Sequence, residues 1–243
     1  MLYIIGLGIG DEKDISLKGI EACKKSKEVF AELYTAKWQG DLSKLGKIIG
    51  KKIHVLERND LEENSQKFVK NAKSQDVALL VPGDPLTATT HINLLMDAKK
   101  LGVKTRVIHS SSILTAVAET GLNLYNFGRT ATVARAEKAY APTSFYDAGV
   151  ANKKLGMHTL FLLDVDMDTR EGLEILLDIE KKKKKGLLRP DEKIIIASNL
   201  GTENGIIKFD EVENLMKKNL PPPAVLIIPG KLHFVEQEYL GSL

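Results

Sequence analysis

A single cysteine, Cys23, stands in 243 residues. It excludes an intramolecular disulfide and a cysteine-cluster zinc site, and a lone thiol fits a reducing compartment. The five histidines, His54, His91, His109, His158 and His233, show no H-x-x-x-H spacing, so neither sequence pattern supports a metal site. G-x-S-x-G is absent, which removes the hydrolase nucleophile elbow. G-x-x-x-x-G-K-[ST] is absent, which removes the P-loop nucleotidases. No apolar run nears the roughly 20 residues that span a bilayer. The opening MLYIIGLGIG lacks the basic flank of a signal peptide. A cytoplasmic protein without a membrane partner is the expectation. Charge of one sign is missing too: Lys+Arg 35 against Asp+Glu 32 leaves a net +3. A nucleic-acid partner would ask for a stronger basic excess.

What is present suits a folded α/β chain. Hydrophobic residues make up 43% and charged residues 28%, enough for a sizeable core. β-rich runs at 3–7, 29–34, 53–56, 77–81 and 105–109 alternate with helical patterns, which predicts a mostly parallel sheet. Leu17, Ile20 and Cys23 suggest one apolar helix face; Phe68, Val69 and Ala72 a second; Ile92, Leu95, Met96 and the Lys99 stem a third. A fourth runs through Ile113, Ala116, Val117 and Thr120 to a stop at Gly121. The character changes near 122–129. Beyond it come a strand at 130–134, the irregular EKAYAPTSFYD, a helix from Ser144, the apolar run 158–165 and a helix from Asp168 into lysines. KIIIASNLG, GIIKF and AVLIIPG follow as strands, the first two close enough for a hairpin, so a mixed sheet is expected. The expected domains are 1–121 and 122–243.

Three stretches carry chemistry. GLGIGD follows the first strand, but its G-x-G-x-G spacing puts Asp11 where a dinucleotide fingerprint needs glycine, and Asp14 and Ser16 are later helix N-cap candidates. The spacing disfavours the dinucleotide fingerprint, and the glycines read better as a conformational turn. VPGDPLTATTH puts Asp84 and Thr87 at the carboxyl end of a buried strand, where open α/β sheets bind ligands; Asp84 is as readily a cap. VIHSSSIL puts Ser112 at another strand–helix junction, where capping is its ordinary role. Cys23 reads as core, and the lysine tract 181–185 as a solvated helix end.

Taken in order, IGLGIGDEKDISLKG, FAELYT, VPGDPLTATTH, VIHSSSILTAVAETGLNLYNFGRTATVA, PTSFYD, GMHTLFLLD and PGKLHFVEQEYL resemble the diphthine synthase family of the tetrapyrrole methylase superfamily along nearly the whole chain. The resemblance implies two α/β domains with S-adenosyl-L-methionine in the cleft between them, a homodimer, and S-adenosyl-L-homocysteine as product. It implies methylation, three times in the archaeal form, of the amino group on the aminocarboxypropyl-modified histidine of translation elongation factor 2. Carried over by position, the cofactor contacts are Ile9, Asp84, Thr87, Ser112, Ile113, Leu163, Leu200 and Ala224, several of them apolar and so through backbone and shape. No catalytic side chain and no metal ligand is assigned. Ser198-Asn199-Leu200-Gly201-Thr202 stands where the family often has Ala-Arg-Ala-Gly-Ser, and Ala224 where it has His; backbone contact tolerates both.

Overall fold

The computed structural model describes residues 1–136 and 141–243. The first part of the irregular stretch expected after the strand at 130–134 lies outside the described residues. Two compact units divide the chain, residues 1–116 and 117–243.

The first unit runs β1 (Leu2–Gly6), α1 (Leu17–Lys25), β2 (Glu28–Glu32), α2 (Leu42–Ile49), β3 (Ile53–Leu56), α3 (Arg58–Glu62), α4 (Ser65–Asn71), β4 (Val77–Val81), α5 (Ile92–Lys100), β5 (Thr105–Ile108) and α6 (Ile113–Ala116). Its five strands pair in the order β3-β2-β4-β1-β5, every pair parallel. β1 and β4 are central and buried at every residue. Their alternate side chains sort to two cores. Tyr3, Ile5, Ala78 and Leu80 join Cys23, Leu45 and Ile49, whereas Leu2, Ile4, Leu79 and Val81 join Phe68, Val69 and Leu94. A sheet covered on both faces is why these strands read as unbroken apolar runs.

Two helix faces differ from the sequence expectation. On α1, Leu17 is 79% exposed, and the buried face is Gly19, Ala22 and Cys23. The sheet lies too close for a large residue there: a Cβ on Gly19 would sit 2.9 Å from Ile5. On α5, Ile92 and Met96 are exposed, and Leu94, Asp97 and Ala98 are buried. Asp97 can face inward because Ser65 Oγ donates to it at 2.6 Å. β2 stops at Glu32, before the expected 34, because the Glu32 carboxylate accepts the N–H groups of Tyr34 and Thr35 and curls the chain.

The second unit runs β6 (Ala131–Val133), α7 (Ser144–Lys154), β7 (Thr159–Leu163), α8 (Thr169–Lys183), β8 (Lys193–Ser198), β9 (Ile206–Glu211), α9 (Val212–Lys218), β10 (Ala224–Ile228) and α10 (Phe234–Gly241). Its sheet has the order β6-β7-β10-β8-β9. β6 pairs parallel with β7, and the other pairs are antiparallel, including the β8–β9 hairpin. The mixed sheet is as the sequence pattern implies. Phe145, Tyr146, Phe161, Met167, Leu173, Leu176, Ile194, Ile196 and Leu226 form its core. Asp168 caps α8 by accepting the Glu171 N–H at 2.9 Å.

Candidate functional site

In the first unit, three turns meet at the carboxyl edge of the adjacent strands β4, β1 and β5. Gly8 and Gly83 exchange backbone hydrogen bonds, Gly8 N–H to the Gly83 carbonyl at 3.1 Å and Gly83 N–H to the Gly8 carbonyl at 2.9 Å. Both glycines hold positive φ, +80° and +65°, a region that side chains disfavour. Gly6 is required for closeness: a Cβ there would lie 2.5 Å from the Gly83 carbonyl oxygen. At Gly83 the opposite holds. A Cβ would meet nothing nearer than the Ser111 carbonyl oxygen at 3.9 Å, so bare backbone borders open space.

Ile9 is half-buried, and its N–H donates to Ser111 Oγ at 3.2 Å, joining the first turn to the one after β5. Gly10 N–H donates to Asp14 Oδ2 at 2.7 Å, and Ser110 Oγ donates to the Asp14 carbonyl at 3.3 Å. Asp14 thus braces the turn, and the helix cap falls to Ser16, which accepts the Gly19 N–H.

Asp84 is buried, and both of its oxygens are occupied. Oδ1 accepts the Leu86 N–H at 3.1 Å and the Thr87 hydroxyl at 3.2 Å. Oδ2 lies 2.7 Å from His109 Nδ1 and accepts the Ser110 N–H at 3.3 Å. Burial opposes its charge, but the Leu86 N–H, His109 and the Ser110 N–H outweigh it and hold the carboxyl below its ordinary value. A carboxylate so filled organises the turn after β4 and locks it to the end of β5. Ser112 Oγ accepts the Leu114 N–H at 3.2 Å, and its carbonyl accepts from Thr115 and Ala116, so Ser112 caps α6 and Ile113 opens it.

In the second unit, Leu163, Leu200 and Ala224 gather at one end of the sheet. Leu163 ends β7 and Ala224 begins β10, where Val225 pairs with Leu162 and Ala224 with Ser198. Leu200 is buried in the turn after β8, between Asn199 at φ +53° and Gly201 at φ +81°. The Leu163 side chain packs inward onto Gly172 of α8. Among the described residues, no group of three His, Cys, Asp or Glu side chains could hold a metal ion.

The family described as Tetrapyrrole (Corrin/Porphyrin) Methylases matches residues 1–215. A diphthine synthase of Methanocaldococcus jannaschii is 39% identical over 253 aligned residues, which cover 100% of this chain and 98% of that protein. A diphthine synthase of Methanothermobacter thermautotrophicus is 42% identical over 252, covering 100% and 95%. A crystal structure of diphthine synthase superposes with a TM-score of 0.90 at 38% identity, over 99% of this chain and 94% of that one. The chain belongs to the diphthine synthase family of tetrapyrrole methylases. As a member of the diphthine synthase family it is an S-adenosylmethionine-dependent methyltransferase of diphthamide biosynthesis. The two-sheet α/β fold expected from the diphthine synthase resemblance is the one observed.

His109 is a site residue that sequence reasoning did not pick out, and Asp14, expected as a helix cap, braces the turn instead. Their partners lie 25 and 96 positions away in the chain, at Asp84 and Ser110. The available signal was position alone: His109 directly follows β5, and Asp14 lies in the connection between β1 and α1.

Proposed function

We propose that this chain methylates the amino group of the aminocarboxypropyl-modified histidine of translation elongation factor 2, adding three methyl groups to give diphthine. The observation that carries the reading is the uncovered backbone at Gly83, at the carboxyl edge of β4 beside β1, in a chain of this family. The residues are compatible with S-adenosylmethionine: the backbone at Gly83 is open to a ligand, and the surrounding turns offer backbone donors and acceptors. Ile9, Thr87, Ser112 and Ile113 would hold the cofactor from the first unit, with Asp84 fixing the turn that carries Thr87. Leu163, Leu200 and Ala224 would hold it from the second, through backbone and shape.

When bound, S-adenosylmethionine supplies an electrophilic methyl group on sulfur. The chain's own contribution is position. Well-oriented neighbours reach effective molarities of about 10⁵ M or more, and a rigid floor braced by Asp14, Asp84 and Ser111 is suited to provide that orientation. The attacking amine must present a free lone pair, so the ammonium must lose one proton before each methyl transfer. We propose further that the enzyme works as a homodimer in the cytoplasm.

The test is a transfer assay with methyl-labelled cofactor and elongation factor 2 bearing the aminocarboxypropyl histidine. Label on that histidine, with mass shifts for one, two and three methyl groups, is the expected result. A folded, cofactor-binding protein that leaves the histidine unlabelled would overturn the substrate assignment. Transfer that stops at one methyl group would overturn the trimethylation.

A further inference from the structure

The first unit holds a second polar cluster, which the cofactor contacts leave unused. Glu32 ends β2, and its carboxylate folds back over the chain. Oε2 accepts the N–H groups of Tyr34 and Thr35, both at 3.1 Å, and Oε1 accepts the Thr35 hydroxyl at 2.5 Å. The side chain is fully buried. His91 closes the turn between β4 and α5, the same turn that begins with Asp84 and Thr87. It is only 2% exposed. Its Nε2 stands 3.6 Å from Glu32 Oε1, beyond hydrogen-bond length, and neither ring nitrogen has a hydrogen-bond partner among the described residues. β2 and β4 are paired neighbours, so both groups lie at the same carboxyl edge.

A buried imidazole with no hydrogen bond of full geometry, only the Pro85 carbonyl and the Glu32 carboxylate near it, needs an explanation. The neutral ring has one N–H and one lone pair. Two acceptors face it: the Glu32 carboxylate, and the Pro85 carbonyl, which favours a protonated ring nitrogen. One N–H cannot serve both. A second proton resolves the conflict. Placed on Glu32 Oε1, it donates to His91 Nε2 after a shift of under about 1 Å, which brings the pair to ordinary hydrogen-bond length. The remaining ring N–H then serves Pro85.

We infer that Glu32 and His91 are positioning residues: a proton shared between carboxyl and imidazole ties the turn that carries Asp84 and Thr87 to the end of β2. The inference rests on the reading that this turn holds S-adenosylmethionine. Burial favours the uncharged form of each partner. It pushes the Glu32 carboxyl up, against the pull of the Thr35 and Tyr34 hydrogen bonds and of Arg58. It pushes His91 down to about 4, against the Pro85 carbonyl. The other charged and titratable groups around the pair include the Arg58 guanidinium, 5.2 Å over the Tyr34 ring, the Tyr34 hydroxyl, and the Glu62 carboxylate that acts on Tyr34.

Glu32→Gln separates this device from plain packing. The glutamine amide can place its NH₂ where Oε1 lies, donating to both His91 and Thr35, and its oxygen can take the two backbone N–H groups. It copies the protonated carboxyl and cannot ionise. The experiment is calorimetric titration of the full chain with S-adenosylhomocysteine between pH 6 and 9, for the wild type and E32Q, with ¹⁵N spectra of the labelled histidines. The ligand's own amino group titrates alike with both proteins, so the ratio of their affinities isolates the pair. At pH 6 the two should agree within about twofold, and by pH 9 the wild type should fall at least fivefold behind E32Q. His91 should show one protonated and one bare nitrogen at pH 7. A pH-independent ratio, or an imidazolium at His91 at pH 7, would overturn the inference alone. A wild type that binds no S-adenosyl ligand would overturn the cofactor reading, and this inference with it.

Discussion

Gly83 and Gly6 are both missing a side chain, for opposite reasons. Gly6 lets two turns touch, and Gly83 leaves a floor uncovered. That difference makes Gly83→Ala informative. Alanine at φ +65° costs about 1–2 kcal/mol of backbone strain, and its methyl would stand in the open space. Gly50, which ends α2 at φ +68° with nothing within 4 Å, is the matched control. We expect similar losses of stability in urea for G83A and G50A, and a loss of S-adenosylhomocysteine affinity of more than tenfold in calorimetry for G83A alone. At this scale the sequence was partly legible. GDP and HSSS stand at strand ends, so Asp84 and Ser112 could be singled out, whereas Ile9 came only from the family resemblance. The capping role of Ser112 was legible as well; the saturation of the Asp84 carboxylate was not, because it depends on Ser110 and His109, brought near only by the pairing of β1 with β4 and β5.

Helix α10 shows what a single buried carboxylate does for an element. Glu236 accepts the Asn123 N–H at 2.8 Å and the His233 N–H at 2.7 Å, and lies 3.2 Å from His158 Nε2. His158 Nδ1 accepts the Gly230 N–H at 2.9 Å, so Nε2 carries the proton and donates to Glu236. One side chain thereby caps α10 and pins it to β7 and to the segment before β6. Glu236→Ala should cost about 1–3 kcal/mol, the range for leaving buried donors without their acceptor, read as a lower urea midpoint at unchanged slope. Asp210 does a lesser version of this job between β9 and α9. It accepts from Lys218 at 3.0 Å and Asn214 at 3.1 Å, which, with the Glu211 N–H, lower its carboxyl from 3.8 to about 2. A depressed carboxyl stabilises the fold above its unfolded value, and that contribution is lost as pH falls from 3.8 towards 2. Asp210→Asn should therefore flatten the pH dependence of the urea midpoint in that window and lower the midpoint at pH 7. Elements with one clear stripe were readable; α5 was not, because Ile92-Asn93-Leu94-Leu95-Met96 offers two overlapping stripes and the buried one includes Asp97.

At the scale of the whole molecule, sequence pattern gave away the class of each sheet better than its order. Single helices between short apolar runs leave parallel crossovers as the natural connection, and the short link between β8 and β9 permits a hairpin. The order β3-β2-β4-β1-β5 is different in kind. It places the β1 and β4 turns side by side although about 75 residues separate them, and no local pattern encodes that. The proposed cofactor contacts come from both units, and this gives the last test. A ligand that binds only the folded chain stabilises it by about 2.7 kcal/mol at a hundred times its dissociation constant. For a chain of this size that corresponds to a rise of about 5–10 °C in melting temperature. Saturating S-adenosylhomocysteine should give such a shift and should slow amide exchange in both units: at 6–10, 83–87 and 111–113 in the first, and around 163, 200 and 224 in the second. Protection confined to the first unit would remove Leu163, Leu200 and Ala224 from the proposed site while leaving the glycine floor in place. Protection confined to the second would do the reverse. Adenosine alone is the informative comparison ligand, because it lacks the amino-acid end. If it protects a subset of these segments, the remainder marks where the amino-acid end lies, and from there the face at which the acceptor amine must enter.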